Sequence, residues 1–184
     1  MREHLFTAAE GVLLRDGAHG LTSRAVTAEA GCAKGVLHAH FRDFDTFLAE
    51  LIEDRILRIE LQSDRLLDDA GTSTVEDNLA RAISELFNSV ALAMVGLLIF
   101  RDDLRKRVRK QRPSGIPVLT EGAAMIYGYL AAERDLGRFA TESDLDTIVP
   151  ILIGGAHLLF TGGDADPDSV RKLVAAVMAT TFVV

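Results

Sequence analysis

Apolar residues return every three or four positions along nearly the whole of this 184-residue chain, and nowhere do they alternate strictly. The clearest run is Phe47, Leu48, Leu51, Ile52, Ile56, Ile59 and Leu66, which forms one stripe between Asp43 and Gly71. A period of 3.6 residues stacks such positions on one helix face, whereas a half-buried strand needs a period of two. The fold class is therefore all-α, with about nine helices, three short ones followed by six longer ones.

Punctuation residues set the boundaries. Leu5, Phe6, Ala9, Val12 and Leu13 predict a helix over 2–16, stopped by Gly17 and Gly20. Thr22 is placed to cap a short helix running through Ala30, and Gly31 supplies the positive φ of a tight turn. A third short helix spans 33–40, and Asp43 caps the long one. Ser73 with Glu76, and Thr74 with Asp77, have capping-box spacing and open a helix near residue 75. Beyond Gly96 the helical pattern resumes into a basic run that Pro113, Gly115 and Pro117 break. Helix returns over 118–133. Thr141 with Asp144 opens a segment to Phe160 that Pro150 should kink, and Asp166 with Pro167 opens the last helix, to about Phe182.

Composition excludes several classes. With 48% hydrophobic and 26% charged residues the chain can bury a core, and its single cysteine makes no internal disulfide, so a cytoplasmic location is expected. The uncharged stretches 86–100 and 147–163 fall short of the roughly 20 apolar residues that cross a bilayer, so no membrane partner is expected. A net charge of −7 argues against coating nucleic acid non-specifically. His38 and His40 stand two apart, on nearly opposite sides of a helix, which disfavours a metal pair. Cys32 has neither a base nor an oxyanion site beside it in sequence and reads as a small turn residue. The expectation is a protein that is not an enzyme, with no cofactor and no metal. In "RDDLRKRVRKQR", Asp102 to Lys106 and Asp103 to Arg107 are helical acid–base pairs, which reads as a solvated face.

Two short helices joined by a glycine turn and backed by a supporting helix make a helix-turn-helix, whose second short helix lies in the DNA major groove. Val26, Ala30, Leu37 and Phe41 would pack on Leu5, Ala9 and Val12, leaving the residues around Lys34 outward. The stretch "LTSRAVTAEAGCAKGVLHAHFRDFDTFLAEL" resembles the N-terminal signature of the TetR/AcrR family of transcriptional regulators: a threonine, an Ala30-Gly31 turn after the apolar Val26, a short helix ending in His40-Phe41, then a capped helix. The match covers about residues 2–51, and "AAERDLGRFATESDLDTIVPILIGGAHLLF" is similar to the family's C-terminal half.

The resemblance implies a helix-turn-helix DNA-binding domain over 1–45 and a larger helical ligand-binding and dimerisation domain over 46–184. It implies a homodimer on palindromic double-stranded operator DNA, released by a small apolar or amphipathic effector. Thr22, Arg24, Lys34, Gly35, Val36, His38 and His40 would meet DNA. Phe87, Met94, Phe100, Met125, Tyr129 and His157 would line the pocket, with Glu121 or Glu133 as a further polar anchor. Ile151, Leu152, His157, Leu158, Val170, Leu173, Val174 and Val177 would form the dimer interface. Ala33, Val36, His38 and Phe44 depart from the family's common residues, several of which donate to phosphates, and residues 1–48 hold five basic against six acidic side chains. These departures keep a second reading open, an all-α small-molecule-binding protein whose head no longer binds DNA.

Overall fold

The computed structural model describes residues 1–87, 89–110, 115–140, 143–163 and 166–179. Among them there is no strand, and there are ten helices: α1 (Arg2–Gly20), α2 (Ser23–Glu29), α3 (Gly35–His40), α4 (Phe44–Asp68), α5 (Val75–Leu86), α6 (Ser89–Phe100), α7 (Asp102–Arg109), α8 (Leu119–Asp135), α9 (Leu145–Gly162) and α10 (Pro167–Ala179). The all-α expectation holds.

The tenth helix arises where sequence signals were weakest. The helix expected to run from residue 75 past Met94 stops at Leu86, and Gly96 lies inside α6 rather than at a break. Ser89–Phe100 carries no charge, so it has no polar face to mark its register or ends. The expected opening at Thr141 falls outside the described residues; Asp144 itself caps α9, accepting from the Asp146 N–H (3.1 Å) and the Thr147 hydroxyl (2.6 Å). Pro150 sits inside α9, which continues through it as one helix.

The chain packs as two compact units. The first comprises Met1–Ile56 and Ser89–Val118, so α6 and α7 belong with α1, the short α2 and α3, and the start of α4. Its core unites Leu5, Ala9 and Val12 of α1 with Val26, Leu37 and Phe41 around the turn, Phe47 to Ile56 of α4, and Met94, Leu97 and Leu104. Phe41 meets Phe47 edge-on with ring centroids 5.0 Å apart, and Phe6 lies within 5.8 Å of both. Aromatic pairs in this range add to their burial, which fixes the end of α3 on α4.

The second unit comprises Leu57–Asn88 and Leu119–Val184. It is tied by a buried polar network. Glu133 of α8, with no solvent exposure, accepts from the Tyr129 hydroxyl (2.6 Å) and the Gly71 N–H (3.1 Å) through Oε1. Its Oε2 lies 3.3 Å from Arg138 Nε, an ion-pair contact without a hydrogen bond. Asn78 donates to the Tyr129 oxygen (3.1 Å) and to the Asp69 carbonyl (3.2 Å), so α5, α8 and the 69–74 connection share one set of bonds. Burial, followed by the Glu133 hydrogen bond, pushes the Tyr129 phenol well above its ordinary value. Close packing joins α8 to α5: a Cβ on Gly122 would stand 2.5 Å from a Leu86 methyl. Among the described single helices, only α9 is long and apolar enough to cross a membrane by length and composition.

Candidate functional site

The turn between α2 and α3 is built from local chemistry. The Thr22 side chain accepts from the Ala25 N–H (3.1 Å) and starts α2. At its end Gly31 takes φ 61°, its N–H donating to Ala28 O (3.1 Å) while Cys32 N–H donates to Thr27 O (3.0 Å). That pair of bonds is a Schellman cap, which a Cβ at the left-handed residue would strain. α3 begins at Gly35 rather than at residue 33, because Val36 N–H turns back to Ala33 O (2.9 Å) and tightens the entrance.

Within α3, Leu37 is the one fully buried residue and anchors the helix to the core. Its far end is held by Arg2, which donates to the His40 carbonyl (3.1 Å), lies 4.4 Å over the Phe41 ring and pairs with Glu50. His4 Nε2 hydrogen-bonds the Ala30 carbonyl (2.9 Å), fixing the end of α2. Thr22, Arg24, Lys34, Gly35, His38 and His40 are exposed, and Val36 is half-buried with its side chain packed on the core. All seven candidate DNA contacts therefore lie on α2, α3 and the turn joining them. Phe44 stacks on Phe47, with ring centroids 5.6 Å apart.

Electrostatics follow from partners distant in sequence. Glu29 and Asp16 are held by Arg15, Asp45 by Arg101 (2.7 Å) and Asp43 by Arg42 (3.0 Å) and Arg107 (3.5 Å). Arg107 thus reaches across to α4 rather than pairing within its own helix with Asp103, as expected, while the Asp102–Lys106 pair forms at 2.6 Å. Asp43 accepts from the Thr46 hydroxyl (2.7 Å) and backbone N–H (2.6 Å), which together with Arg42 hold its carboxyl far below the usual carboxylate range. Among the described residues Arg24 and Lys34 have no ion-pair partner. Charge is also uneven between the units. The first carries 13 Lys and Arg against 11 Asp and Glu, and the second 7 against 16.

The other candidate sets fare differently. Of the six pocket residues, Met94 and Phe100 lie in the first unit, where Phe100 is 54% exposed and rests against the His19 ring (4.2 Å). Met125 and Tyr129 are buried in the second unit, and Tyr129 is committed to Glu133 and Asn78. Phe87 and His157 do meet, with ring centroids 6.2 Å apart and Phe160 stacked on Phe87. The His157 Nδ1 is buried without a hydrogen-bond partner among the described residues. The six are thus divided between the two units, because apolar residue type alone does not say where along the chain a residue packs. A groove of about 410 Å³ between α8 and α9 is lined instead by Ala123, Ala124, Tyr127, Gly128, Leu145 and Val149, none of them a candidate. Glu133, considered a polar anchor, is consumed by the network described above.

Of the eight interface candidates, Leu152, Val170, Val174 and Val177 are buried. Ile151 (49% exposed) and Leu158 (73%) point outward, with His157 and Leu173 half-exposed. The outward stripe on α9 also includes Thr147, Gly154 and Thr161, and α10 adds Ala175, Ala176 and Ala179.

No protein-family profile matches the chain. The chain is 26% identical over 156 residues to an uncharacterized HTH-type transcriptional regulator, YdgC of Bacillus subtilis (strain 168), covering 83% of this chain and 75% of the relative. Its structure aligns with that of a protein from Rhodococcus sp. assigned to the TetR family of transcriptional regulators, over 99% of this chain and 98% of the other, with a TM-score of 0.74 at 14% identity. It also aligns with the transcriptional regulator FadR of Bacillus subtilis, crystallised in complex with stearoyl-CoA, over 98% and 97% of the chains, with a TM-score of 0.68 at 16% identity. End to end, the chain has the fold of the TetR-family transcriptional regulators.

Proposed function

We propose that the chain is a homodimeric, ligand-responsive transcriptional regulator, acting as a repressor, that binds palindromic double-stranded DNA and releases it when a small apolar or amphipathic effector binds. The observation that carries this reading is the exposed α3. It is anchored through Leu37, held at its end by Arg2, and flanked by the unpaired cations Arg24 and Lys34 while the neighbouring acids are neutralised internally. Cations with no acidic partner are available to phosphates and base edges, and such contacts position a protein on a duplex. In this reading residues 1–45 read DNA and 46–184 dimerise and sense, in the cytoplasm, with no cofactor.

One six-residue helix spans few base pairs, so two copies related by a two-fold axis, reading half-sites about 34 Å apart, are needed for specificity. The outward apolar stripe of α9 with the alanines of α10 is the face on which a second copy would sit. Ile151, His157, Leu158 and Leu173 are its candidates. For the effector, FadR's stearoyl-CoA supports an amphipathic class, and His157 Nδ1 beside Phe87 offers a polar group next to an aromatic wall. A coupling of about 1–3 kcal/mol between effector and DNA is enough to change affinity by a factor of roughly 5–150.

The test is a mobility shift on duplexes selected from a random pool, at two salt concentrations. Specific binding whose salt slope falls by about one per protomer in Lys34→Ala supports the proposal. A folded dimer that binds no duplex at low salt refutes it and favours a small-molecule-binding protein with an inert head.

A further inference from the structure

The outward ridge of α3 is almost bare. At about 100° per residue, positions 35 and 39 each lie roughly 160° from the buried Leu37, so they form the line of closest approach to anything the helix touches. Those positions are Gly35 and Ala39, a hydrogen and a methyl, both exposed. Nothing among the described residues requires glycine there. A Cβ on Gly35 would meet no atom within 4 Å, and Gly35 is not among the positive-φ glycines. Alanine would also be the better helix former. The bare position leaves room for a surface outside the protein to approach the backbone closely. Half-buried Val36 sits about 100° to one side of Leu37 and exposed His38 about 100° to the other, with Lys34 just ahead of the helix.

We infer that this helix recognises thymine by its 5-methyl group, through Ala39 with Val36 beside it, while Lys34 and His38 serve the groove edges and phosphates. The inference rests on the DNA-binding reading above. A ridge with no hydrogen-bonding side chain cannot make the bidentate contacts that distinguish guanine or adenine. What it can do is bring the backbone close and pack methyl against methyl, and the thymine methyl is the apolar group that the major groove presents.

The experiment takes the duplex selected from the random pool and replaces its thymines, one at a time, with deoxyuridine. Each replacement keeps every hydrogen-bonding atom and removes one methyl. Affinity should fall about fourfold per contacted methyl, the factor equivalent to the roughly 0.8 kcal/mol of a buried methylene-sized group. One such methyl in each half-site gives about fifteenfold. Ala39→Gly should bind the thymine duplex correspondingly more weakly and no longer distinguish it from the deoxyuridine duplex, and Gly35→Leu should lose specific binding with its helical content unchanged. The base-replacement arm uses the unaltered protein, so a variant that fails to fold does not affect it. Equal affinity for the thymine and deoxyuridine duplexes, or a selected half-site without thymine at its centre, overturns the inference and leaves the DNA-binding reading intact. Failure to bind any duplex overturns both.

Discussion

Replacing Tyr129 by phenylalanine removes one oxygen from the second unit and leaves the ring, so no cavity opens. The phenol is fully buried, donates to Glu133 at 2.6 Å and accepts from Asn78 at 3.1 Å. Its loss leaves a buried carboxylate with only the Gly71 N–H and the Arg138 contact, and leaves the Asn78 amide nitrogen with only the Asp69 carbonyl. A hydrogen bond to a charged group contributes about 1.5–3 kcal/mol, and an orphaned buried partner costs a comparable amount. Tyr129→Phe should therefore destabilise the fold by about 2 kcal/mol. For a chain of this size that corresponds to a melting temperature lower by roughly 4–8 °C. Urea titration at neutral pH, followed by circular dichroism, measures it. A cycle with Glu133→Gln should give a coupling energy well above 0.5 kcal/mol, as groups sharing one network do. The alkaline limb is a second readout. The folded phenol ionises above its unfolded value of 10.0, so its contribution is intact below pH 10 and declines as pH rises beyond it. The variant should lack that decline. A Tyr129→Phe protein within 0.5 kcal/mol of the original, with an unchanged alkaline limb, would refute the account of this network.

Gly122→Val should destabilise by about 1–3 kcal/mol through overpacking against Leu86, measured by thermal unfolding. Asp43→Asn should flatten the acid limb. The Asp43 carboxyl is held below its unfolded value of 3.8, so its contribution is complete above that pH and is lost as pH falls beneath it; a pH series of melting temperatures down to pH 2 reads the difference. Leu158→Arg should convert the proposed dimer to a monomer with its helical content intact, as sedimentation velocity would detect, since Leu158 is 73% exposed and contributes little to its own unit.

What could be read along the chain was local. Gly31 and the caps at Thr22, Thr74, Asp43 and Asp166 act through bonds within five residues, so residue type and spacing suffice to place them. The exposed positions of α3 were legible for the same reason, since a short helix between a glycine turn and an aromatic anchor has few outward positions. Orientation within apolar helices was not legible: Leu152 and Leu158 are the same residue type on α9, yet one is buried and the other 73% exposed. Nor did spacing foretell that Arg107 would choose Asp43, 64 residues away, over Asp103 four residues away. Glu133 was equally hidden, because its partners at 71, 129 and 138 meet only once α8 and the 69–74 connection are packed together.

Arg101 and Arg107, at the start of α7 and within it, make the first unit indivisible. Excised alone, residues 1–56 would hold 6 basic against 9 acidic side chains, with Asp43 and Asp45 stripped of Arg107 and Arg101 just beyond the helix proposed to enter the groove. Such a fragment would also bare the apolar surface that Met94, Leu97 and Leu104 cover. Grafting this unit onto another scaffold therefore requires carrying along a segment encoded some thirty residues downstream, which makes the protein a poor donor for modular exchange.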